Sequence, residues 1–574
     1  MTFDMSQASI DSAVALAADW QQRANQLLLP EEKAWQQKMK RLLQQPMDRV
    51  TLVKLFDQSF RSADVRRTAD QIHHLFRTHG VPEFFSPSEK ALLSLFRGIG
   101  RHLPGLSVPQ IIARIRETSR HMVVDGEPQA LHAYLEKRKS EGVQVNVNRL
   151  GEEVLGEGEA QRRLAVYLQD LQNPLIEHLS VKISTLYSQI HALPFAHCVE
   201  TLSRRLALLY RAALQNPFVR ADGSTSAKIV HLDMESYRDM ALTVAAFQRT
   251  LDQTEFLAYP AGIALQAYLP DACTCQQDLT RWAMQRVAKG GSPIRIRIVK
   301  GANLEMEHLE AALWDWPLAP YDNKTDVDAN FKRMVLYGLQ PDAIQAVHLG
   351  IASHNLFEQA FAWQAAQANG VASGMMAEML EGMADHVRRA LVAQGVPVLL
   401  YAPVADAKEL LNAIAYLIRR MDENSGPQNF LRHAPYLEVS SDAWRRLAQG
   451  FAKACARVDA LTVATHRTQN RLTERESDRH PAPPLGFYNE ANTDWALAPN
   501  REWAHEIRAR WRKGPQEPPL AIPLVVAGQT IANGRPLRDI IDPNALPEKV
   551  LVARCALATP EDIAQAVAAG RSDP

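Results

Sequence analysis

The chain has 574 residues, of which 46% are hydrophobic and 22% are charged, so it is long enough for one large globular domain with smaller additions. Lysine plus arginine equals aspartate plus glutamate at 64 each, which excludes a global positive field that would attract nucleic acid or an anionic membrane. The few scattered cysteines do not form the disulfide framework of a small secreted domain, and neither a signal peptide nor a run of about 18 apolar residues is present, so we expect a cytoplasmic protein.

Two helical blocks are predicted at the N-terminus. Residues 10–85 have apolar rows at helical spacing, and a helix start is marked by Pro30 followed by two glutamates. The second block, residues 86–141, opens with Ser86 and Pro87. Neither block contains a catalytic constellation, so we interpret both as packing or assembly elements.

From residue 143 onwards, short β-branched or apolar runs alternate with helical segments, which is typical of βα units around a parallel sheet. A count of eight strands over about 260 residues predicts a (β/α)₈ barrel. A doubly wound open sheet is the competing fold, but no G-x-G-x-x-G motif opens a helix in this region. The predicted strands are 143–150, 180–183, 228–233, 262–268, 294–300, 346–353, 372–380 and 396–404.

The C-terminal part of the chain contains a predicted linker and a further short segment. Residues 461–485 are rich in Arg, Thr, Glu, Asp and Pro, which indicates a linker. Residues 486–574 contain a strand-turn-strand pattern at 524–531 and a helix start at Thr559 and Pro560. We expect this segment to be the beginning of another domain. Cys273 and Cys275 form an isolated C-x-C without a second Cys/His cluster, so we expect no metal site.

Polar side chains at the C-terminal ends of the predicted strands are candidates for chemistry, because active sites of such barrels lie there. Lys182 lies in an apolar strand, where an ammonium needs either an anion or an exit to solvent. The amide of Gln266 both donates and accepts hydrogen bonds, which suits the edge of a heterocycle, and Gly301 permits close approach of the backbone to a ligand. Further candidates are Asp233, Arg297, Lys300, Lys324, Thr325, His354, Asn355, Glu378, Leu380 and Tyr401. With cations outnumbering anions, this mouth would suit an anionic cofactor and a small carboxylate.

A polar stripe is predicted on the helix that follows the eighth strand. Tyr416, Arg419, Arg420 and Glu423 stand at i, i+3, i+4 and i+7, so they share one helix face. Two adjacent guanidiniums could hold a small carboxylate by bidentate hydrogen bonds. The alternative is a solvated face with an ordinary Arg419–Glu423 ion pair.

Four segments, residues 296–304, 328–333, 401–404 and 416–424, resemble the flavin-dependent proline dehydrogenase family. The segments 486–494 and 499–501 resemble the entry to the aldehyde dehydrogenase half of the bifunctional proline utilization A family. The resemblance implies a distorted (β/α)₈ TIM-like barrel with its last helix over the mouth. It also implies the following organisation: a helical arm (1–85), an α-domain (86–141), the FAD-binding barrel (142–460), a linker (461–485) and a partial aldehyde dehydrogenase domain (486–574).

The same resemblance implies roles for individual residues. Lys182, Arg419 and Arg420 would hold the carboxylate of proline, Leu380, Tyr401 and Tyr416 would pack around its ring, and Asp233 and Glu423 would orient these groups. The residues implied to contact FAD are Gln266, Arg297, Lys300, Gly301, Ala302, Lys324, Thr325, His354 and Asn355, with Arg297 beside flavin N5. Asn303 and Leu304 depart from the family, because some members carry an aromatic pair there, and Val327 replaces a hydroxyl residue.

The implied reaction is oxidation of L-proline to Δ1-pyrroline-5-carboxylate by hydride transfer to FAD, with electrons passed to a quinone. Quinone reduction implies peripheral contact with the inner membrane face. NAD would serve only the missing part of the aldehyde dehydrogenase half, and the full-length protein is expected to be a homo-oligomer. Three alternatives remain open: another barrel flavoenzyme that oxidises an amino acid, a structural scaffold, and a DNA-binding regulator. No short basic strand precedes the first helices, which disfavours DNA binding.

Overall fold

The computed structural model describes residues 5–572, with the exception of 61, 63, 84, 99–101, 120–121, 152, 221–222, 407–408, 410–412, 414–415, 417–425, 427–428, 435–436, 475–488, 515 and 546. The chain divides into two units, Met1–Gln469 with Pro481–Ala496, and Asn470–His480 with Leu497–Pro574. None of the described helices is both long enough and apolar enough to cross a membrane.

Helices precede the first strand, as the apolar spacing predicts. The best defined start is that of the helix Val65–His79, where the Asp64 side chain accepts a hydrogen bond from the Arg66 backbone N–H at 2.8 Å. These helices are α1 (Gln7–Gln26), α2 (Pro30–Gln44), α3 (Pro46–Ser59), α4 (Val65–His79), α5 (Pro87–Gly98) and α6 (Pro104–Ser119).

The N-terminal helices contribute to two separate apolar cores. On α1, a buried row that includes Ala13, Ala17 and Trp20 belongs to the main core of the first unit. A second, smaller core contains Ile72 of α4 and Phe96 of α5, together with side chains of α3 and α6. It therefore joins helices on both sides of the expected boundary between residues 85 and 86.

A closed barrel of eight parallel strands follows, and the prediction of eight strands and of the barrel is confirmed. In the barrel, β2, β3, β6, β7, β8, β9, β10 and β11 are neighbours in that order, and β11 pairs with β2 to close it. The strand β1, which the sequence did not predict, adds to the end of β11. The strands are β1 (Val124–Asp125), β2 (Gln144–Arg149), β3 (His178–Lys182), β4 (Phe218–Val219), β5 (Thr225–Ser226), β6 (Ile229–Asp233), β7 (Gly262–Gln266), β8 (Ile294–Val299), β9 (Val347–Ala352), β10 (Met375–Leu380) and β11 (Val398–Ala405).

Helices connect the strands and pack around the barrel, which places alternate strand residues in the apolar layer beneath them. On β8 these outward residues are Ile294, Ile296 and Ile298, all at most 1% exposed. The helices are α7 (Pro128–Ser140), α8 (Glu157–Gln172), α9 (Ile183–Leu186), α10 (Phe195–Gln215), α11 (Tyr237–Leu251), α12 (Asp271–Ala288), α13 (Leu304–Trp314), α14 (Lys324–Gly338), α15 (Pro341–Ile344), α16 (Leu356–Ala368), α17 (Asp385–Ala393), α18 (Phe430–His433) and α19 (Asp442–Arg457).

The other face of the strands carries polar residues. Near the start of β3 and in the middle of β6, His178 Nδ1 lies 3.0 Å from His231 Nε2, and the two rings stack. Burial lowers the pKa of both imidazoles well below its ordinary value, so both stay neutral. The Cβ of any larger residue at Gly262 would overlap the His231 ring, which explains the glycine there.

The second unit confirms the predicted strand-turn-strand, because the strands Leu524–Val526 and Gln529–Ile531 pair antiparallel, and it confirms the predicted helix start at Pro560. A separate sheet has the order β12, β16, β15. The elements of this unit are α20 (Ala498–Trp511), β12 (Leu520–Ile522), β13 (Leu524–Val526), β14 (Gln529–Ile531), β15 (Leu537–Ile541), β16 (Leu551–Ala556) and α21 (Pro560–Ser572).

Candidate active site

A cavity of about 650 Å³ lies where the barrel strands end at their C-terminal side. Such a volume is typical of small-molecule and cofactor sites, which measure about 300–1,000 Å³. Thr325, in the first turn of α14, does not line it, and Arg419, Arg420 and Glu423 lie outside the described residues. The predicted site residues that line the cavity are Lys182, Asp233, Gln266, Arg297, Lys300, Gly301, Ala302, Lys324, His354, Asn355, Leu380, Tyr401 and Tyr416.

An ion network around Arg297 forms the floor of the cavity. The guanidinium Nη1 lies 3.0 Å from Asp233 Oδ1, its Nε donates to Glu378, and its carbon lies 4.2 Å from the centre of the Tyr401 ring. The Tyr401 hydroxyl donates to the second oxygen of Asp233 at 2.6 Å. Ser180 also donates to Asp233, at 3.3 Å. The Arg297 guanidinium and the Asp233 carboxylate thus connect five strands of the barrel, which are β3, β6, β8, β10 and β11.

Burial and the charges of neighbouring groups act against each other in this network. Burial opposes the charged form of Arg297, but the Glu378 and Asp233 charges outweigh it and raise its pKa, so the guanidinium stays protonated. Burial and the Asp233 charge raise the pKa of Tyr401, which therefore keeps its proton and remains a donor. Burial raises the pKa of Glu378, while the charge of Arg297 acts in the opposite direction and favours the carboxylate.

A second network fixes the lysines on one side of the cavity. Lys300 Nζ lies 2.6 Å from Asp328 Oδ1 and 3.1 Å from Glu358 Oε1. Lys324 also pairs with Asp328, and Lys332 Nζ lies 2.8 Å from Glu358 Oε1. Burial opposes the charged form of Asp328, but the lysines outweigh it and lower its pKa, so this carboxylate is ionised. Lys300 and Lys324 consequently present fixed positive charge to the cavity.

The turn after β6 connects three residues of the cavity wall. Lys182 Nζ lies 3.3 Å from Glu235 Oε1. The backbone carbonyl of Glu235 accepts hydrogen bonds from Gln266 Nε2 at 3.1 Å and from Asn303 Nδ2 at 2.6 Å. Asn303, which departs from the aromatic pair of some family members, therefore has a structural partner here.

Carboxyl groups also lie in the wall beside this turn. Asp239 accepts a hydrogen bond from Ser236 Oγ at 2.7 Å, and burial raises its pKa to about 6. Glu307 is 2% exposed and its Oε1 accepts from the Tyr237 N–H at 2.8 Å. The cavity is therefore cationic where Lys300 and Lys324 stand and carries carboxyl groups near Asp239 and Glu307.

Three of the predicted site residues also have local structural roles. Gly301 has a φ of +128°, and a Cβ there would lie 2.5 Å from the Tyr268 ring, so both backbone conformation and packing require glycine. The Asn355 side chain caps α16 by accepting from the Phe357 N–H at 3.0 Å. His354 Nε2 accepts from the Leu380 N–H at 3.0 Å, which joins the ends of β9 and β10.

The carboxylates that hold the cationic residues are the main group that was not predicted as site residues. Glu378 is a candidate from its place at a strand end, and its i−2 spacing from Leu380 puts both on one face, but its pairing with Arg297 was not predicted. The missed residues are Glu235, Asp328 and Glu358. No group of three or more His, Cys, Asp or Glu side chains that could hold a metal ion occurs among the described residues.

Solved structures with similar folds are proline utilization A proteins. The protein from Corynebacterium freiburgense is 35% identical, with 71% of this chain and 38% of that chain covered and a TM-score of 0.58. The protein from Bdellovibrio bacteriovorus, inactivated by N-propargylglycine, is 23% identical, with 97% and 53% covered and a TM-score of 0.73. A Bradyrhizobium japonicum variant is 20% identical, with 80% and 47% covered and a TM-score of 0.56. This chain thus spans only about 38–53% of the length of these structures.

A comparison with curated protein sequences gave no match. The family model described as proline dehydrogenase matches residues 130–433, which is more than half of the chain and includes all eight strands of the barrel and the cavity residues at their ends. The chain therefore belongs to the proline dehydrogenase family.

Proposed function

We propose that this protein is an FAD-dependent dehydrogenase that oxidises L-proline to Δ1-pyrroline-5-carboxylate and passes the electrons to a quinone. The observation that carries the proposal is that family membership coincides with a cavity whose walls hold Arg297, Lys182 and Lys300 in fixed ion networks. A cavity with several buried cations suits an anionic cofactor together with an amino-acid carboxylate.

The residues present fit FAD. Lys300 and Lys324 would supply positive charge for its phosphates, and Gln266 and Arg297 would supply polar contacts for its isoalloxazine. Gly301, Ala302, His354 and Asn355 would contact the remainder of the cofactor, and Thr325 would act from the first turn of α14. When bound, the flavin accepts a hydride from the substrate at N5.

The protein's own groups would bind and orient the substrate. Lys182, which Glu235 fixes at 3.3 Å, would bind the carboxylate together with Arg419 and Arg420. Leu380, Tyr401 and Tyr416 would pack against the ring, while Asp233 and Glu423 orient the cationic and phenolic groups. This arrangement supplies orientation, since hydride departure from the carbon next to nitrogen is driven by the lone pair of the neutral amine. Loss of the hydride would convert the neutral amine of proline into a protonated imine.

The visible spectrum tests this function directly. Purified protein should be yellow, and proline should bleach the flavin band without oxygen. A colourless protein, or a flavin that proline does not bleach, would contradict the proposal. Steady-state assays with proline, hydroxyproline and pipecolate separate a proline enzyme from another amino-acid oxidase. The proposal expects the highest kcat/KM with proline.

The carboxylate clamp is tested by Arg419→Met and Arg420→Met. Each should raise KM for proline far more than it weakens FAD binding, because a charge-assisted contact with the substrate is lost. The fall in kcat/KM should correspond to a loss of about 2–4 kcal/mol in transition-state stabilisation. Arg445→Met, on the exposed face of α19, is the matched control and should leave KM unchanged. Wild-type KM in both clamp variants would refute the assignment.

We further propose that residues 486–574 begin an aldehyde dehydrogenase domain, so that the whole protein would hydrolyse the product to glutamate semialdehyde and oxidise it with NAD as a homo-oligomer. The support is the greater length of the similar solved structures. NAD reduction by the full-length protein with glutamate semialdehyde is the test. Proline-dependent reduction of a short-chain quinone by the protein tests the electron acceptor. The same assay with and without liposomes tests whether this otherwise cytoplasmic protein makes peripheral contact with the inner membrane face.

A further inference from the structure

Arg297 contacts two buried carboxylates that differ in their other partners. Asp233 accepts hydrogen bonds from Tyr401 and Ser180 as well as from Arg297. Glu378 is 2% exposed, contacts Arg297 through Oε2, and its Oε1 accepts no hydrogen bond from the described residues. The contact with Arg297 is thus the one interaction that orients this carboxylate within the described network.

The barrel provides space for the Glu378 carboxylate. Gly350 on β9 is the Cα partner of Met376 on β10, and Glu378 lies two residues further along the same face of β10. Because Gly350 has no side chain, the Glu378 carboxylate extends over β9 towards β8 and reaches Arg297. The carboxylate lines the cavity beside Arg297 and Leu380.

We propose that Glu378 is a positioning residue for the flavin-contacting Arg297, and that its charge lowers the reduction potential of the bound flavin. This inference rests on the proposed function. Arg297 alone would favour the reduced flavin, which carries more negative charge, because a cation in a buried site interacts strongly with a nearby anion. With Asp233 and Glu378 beside one guanidinium, the formal charge of the three groups is −1. Glu378 therefore offsets the attraction while its bond to Nε keeps the guanidinium plane fixed.

Glu378→Gln tests the charge, because glutamine keeps the shape and an oxygen acceptor for Arg297 Nε. The flavin of this variant should have a more positive midpoint potential. Sulfite, which adds to flavin N5 and leaves an anionic adduct, should bind about tenfold more tightly, since one unit of negative charge has been removed from the site. Glu177→Gln is the matched control. Glu177 is also buried, but it precedes β3, pairs with Arg220 and does not line the cavity, so its loss should change neither quantity.

Glu378→Asp tests the position separately from the charge. The shorter side chain keeps the negative charge but withdraws it from Nε, so the potential should stay near that of the wild type while kcat falls and KM for proline changes little. If the role of Glu378 were merely structural, both variants would lose thermal stability, and the midpoint potential of the flavin in Glu378→Gln would not differ from that in Glu378→Asp.

The outcomes separate this inference from the proposed function. If wild-type protein binds no flavin, or proline does not reduce it, the proposed function fails. If wild-type protein is active and Glu378→Gln retains flavin with unchanged potential and sulfite affinity, the inference is wrong and the function stands. If Glu378→Gln loses the cofactor, Glu378→Asp decides, because wild-type kcat in that variant would overturn the positioning role.

Discussion

The Oε1 atom of Glu378 lies 1.9 Å from the point at which a Cβ atom on Gly350 would stand, so the two residues occupy one space between β9 and β10. A side chain at residue 350 must displace the carboxylate, which is held by its contact with Arg297. The glycine and the glutamate are 28 positions apart in the chain. They are therefore coupled only through the register of the two strands.

Gly350→Ala should accordingly destabilise the barrel. The added methyl group forces a buried ion pair to move, and overpacking of this kind costs about 1–3 kcal/mol in the free energy of unfolding. Urea denaturation of the first unit measures it. Gly450→Ala is the control, because nothing lies within 4 Å of a Cβ at this exposed position of α19 and alanine favours a helix. Equal losses in both variants would contradict the prediction.

Lys332→Met should destabilise the protein by about 3 kcal/mol, because it leaves the buried Glu358 with one fewer cation. Lys332 is fully buried and Glu358 is 1% exposed. Arg445→Met removes an ion pair with Asp442 whose side chains are 60% and 75% exposed, and should have little effect. Thermal and urea denaturation measure both. A loss in Lys332→Met no larger than that in Arg445→Met would show that the buried pair is not a significant stabilising contact.

Asp239 should make stability depend on pH. Burial raises its pKa to about 6 in the folded protein, whereas an unfolded aspartate titrates near 4. Between these values the folded state binds more protons than the unfolded state, so the free energy of unfolding falls as pH rises from about 4 to about 6. Asp239→Asn should therefore be more stable than the wild type at pH 7.5, by about 3 kcal/mol, and equal to it near pH 4.

Urea denaturation at pH 4 and pH 7.5 checks this prediction. The control is Asp459→Asn, which removes a carboxyl group at an exposed position. A constant offset between Asp239→Asn and the wild type at both pH values would mean that the loss of a carboxyl contact, and not its ionisation, determines stability.

Tyr401→Phe should separate hydrogen bonding from ring packing. Phenylalanine keeps the ring over Arg297 but removes the donor at 2.6 Å from Asp233. Loss of one such buried hydrogen bond should lower kcat/KM for proline by an amount that corresponds to about 1–2 kcal/mol in activation free energy. Retained flavin absorbance serves as the control for folding. Wild-type kcat/KM would exclude Asp233 and Tyr401 as a functional pair.

The sequence predicted the eight strands because both of their faces are buried and turn residues bound each apolar run. It missed β1 because a strand of two residues is too short to show an alternation of apolar and polar side chains. It also placed Lys182, Arg297 and Lys300 at the ends of strands, where the structure brings them to one cavity. The carboxylate partners were not predictable in the same way. Arg297 and Glu378 are 81 positions apart, and their contact depends on the register of three strands.

The reasons for glycine show the same limit. At Gly301 the sequence predicted close approach of a ligand, while the structure adds a positive φ and the ring of Tyr268. Neither is visible in a single sequence, because Tyr268 follows β7 and reaches Gly301 only after β7 and β8 have paired. The assignments of Arg419, Arg420 and Glu423 remain predictions from family resemblance.

Barrel interiors are usually filled by branched apolar side chains, whereas this one contains a stacked His178–His231 pair and the Arg297 network. Well-packed apolar residues often stabilise a protein more than buried polar groups of similar volume. The residues at which heat tolerance could be raised and the residues that serve turnover therefore lie at different levels along the barrel axis. Engineering for heat tolerance should start at the histidine pair, which does not line the cavity, because an apolar replacement at Arg297 or Glu378 alone would leave a buried charge without its partner.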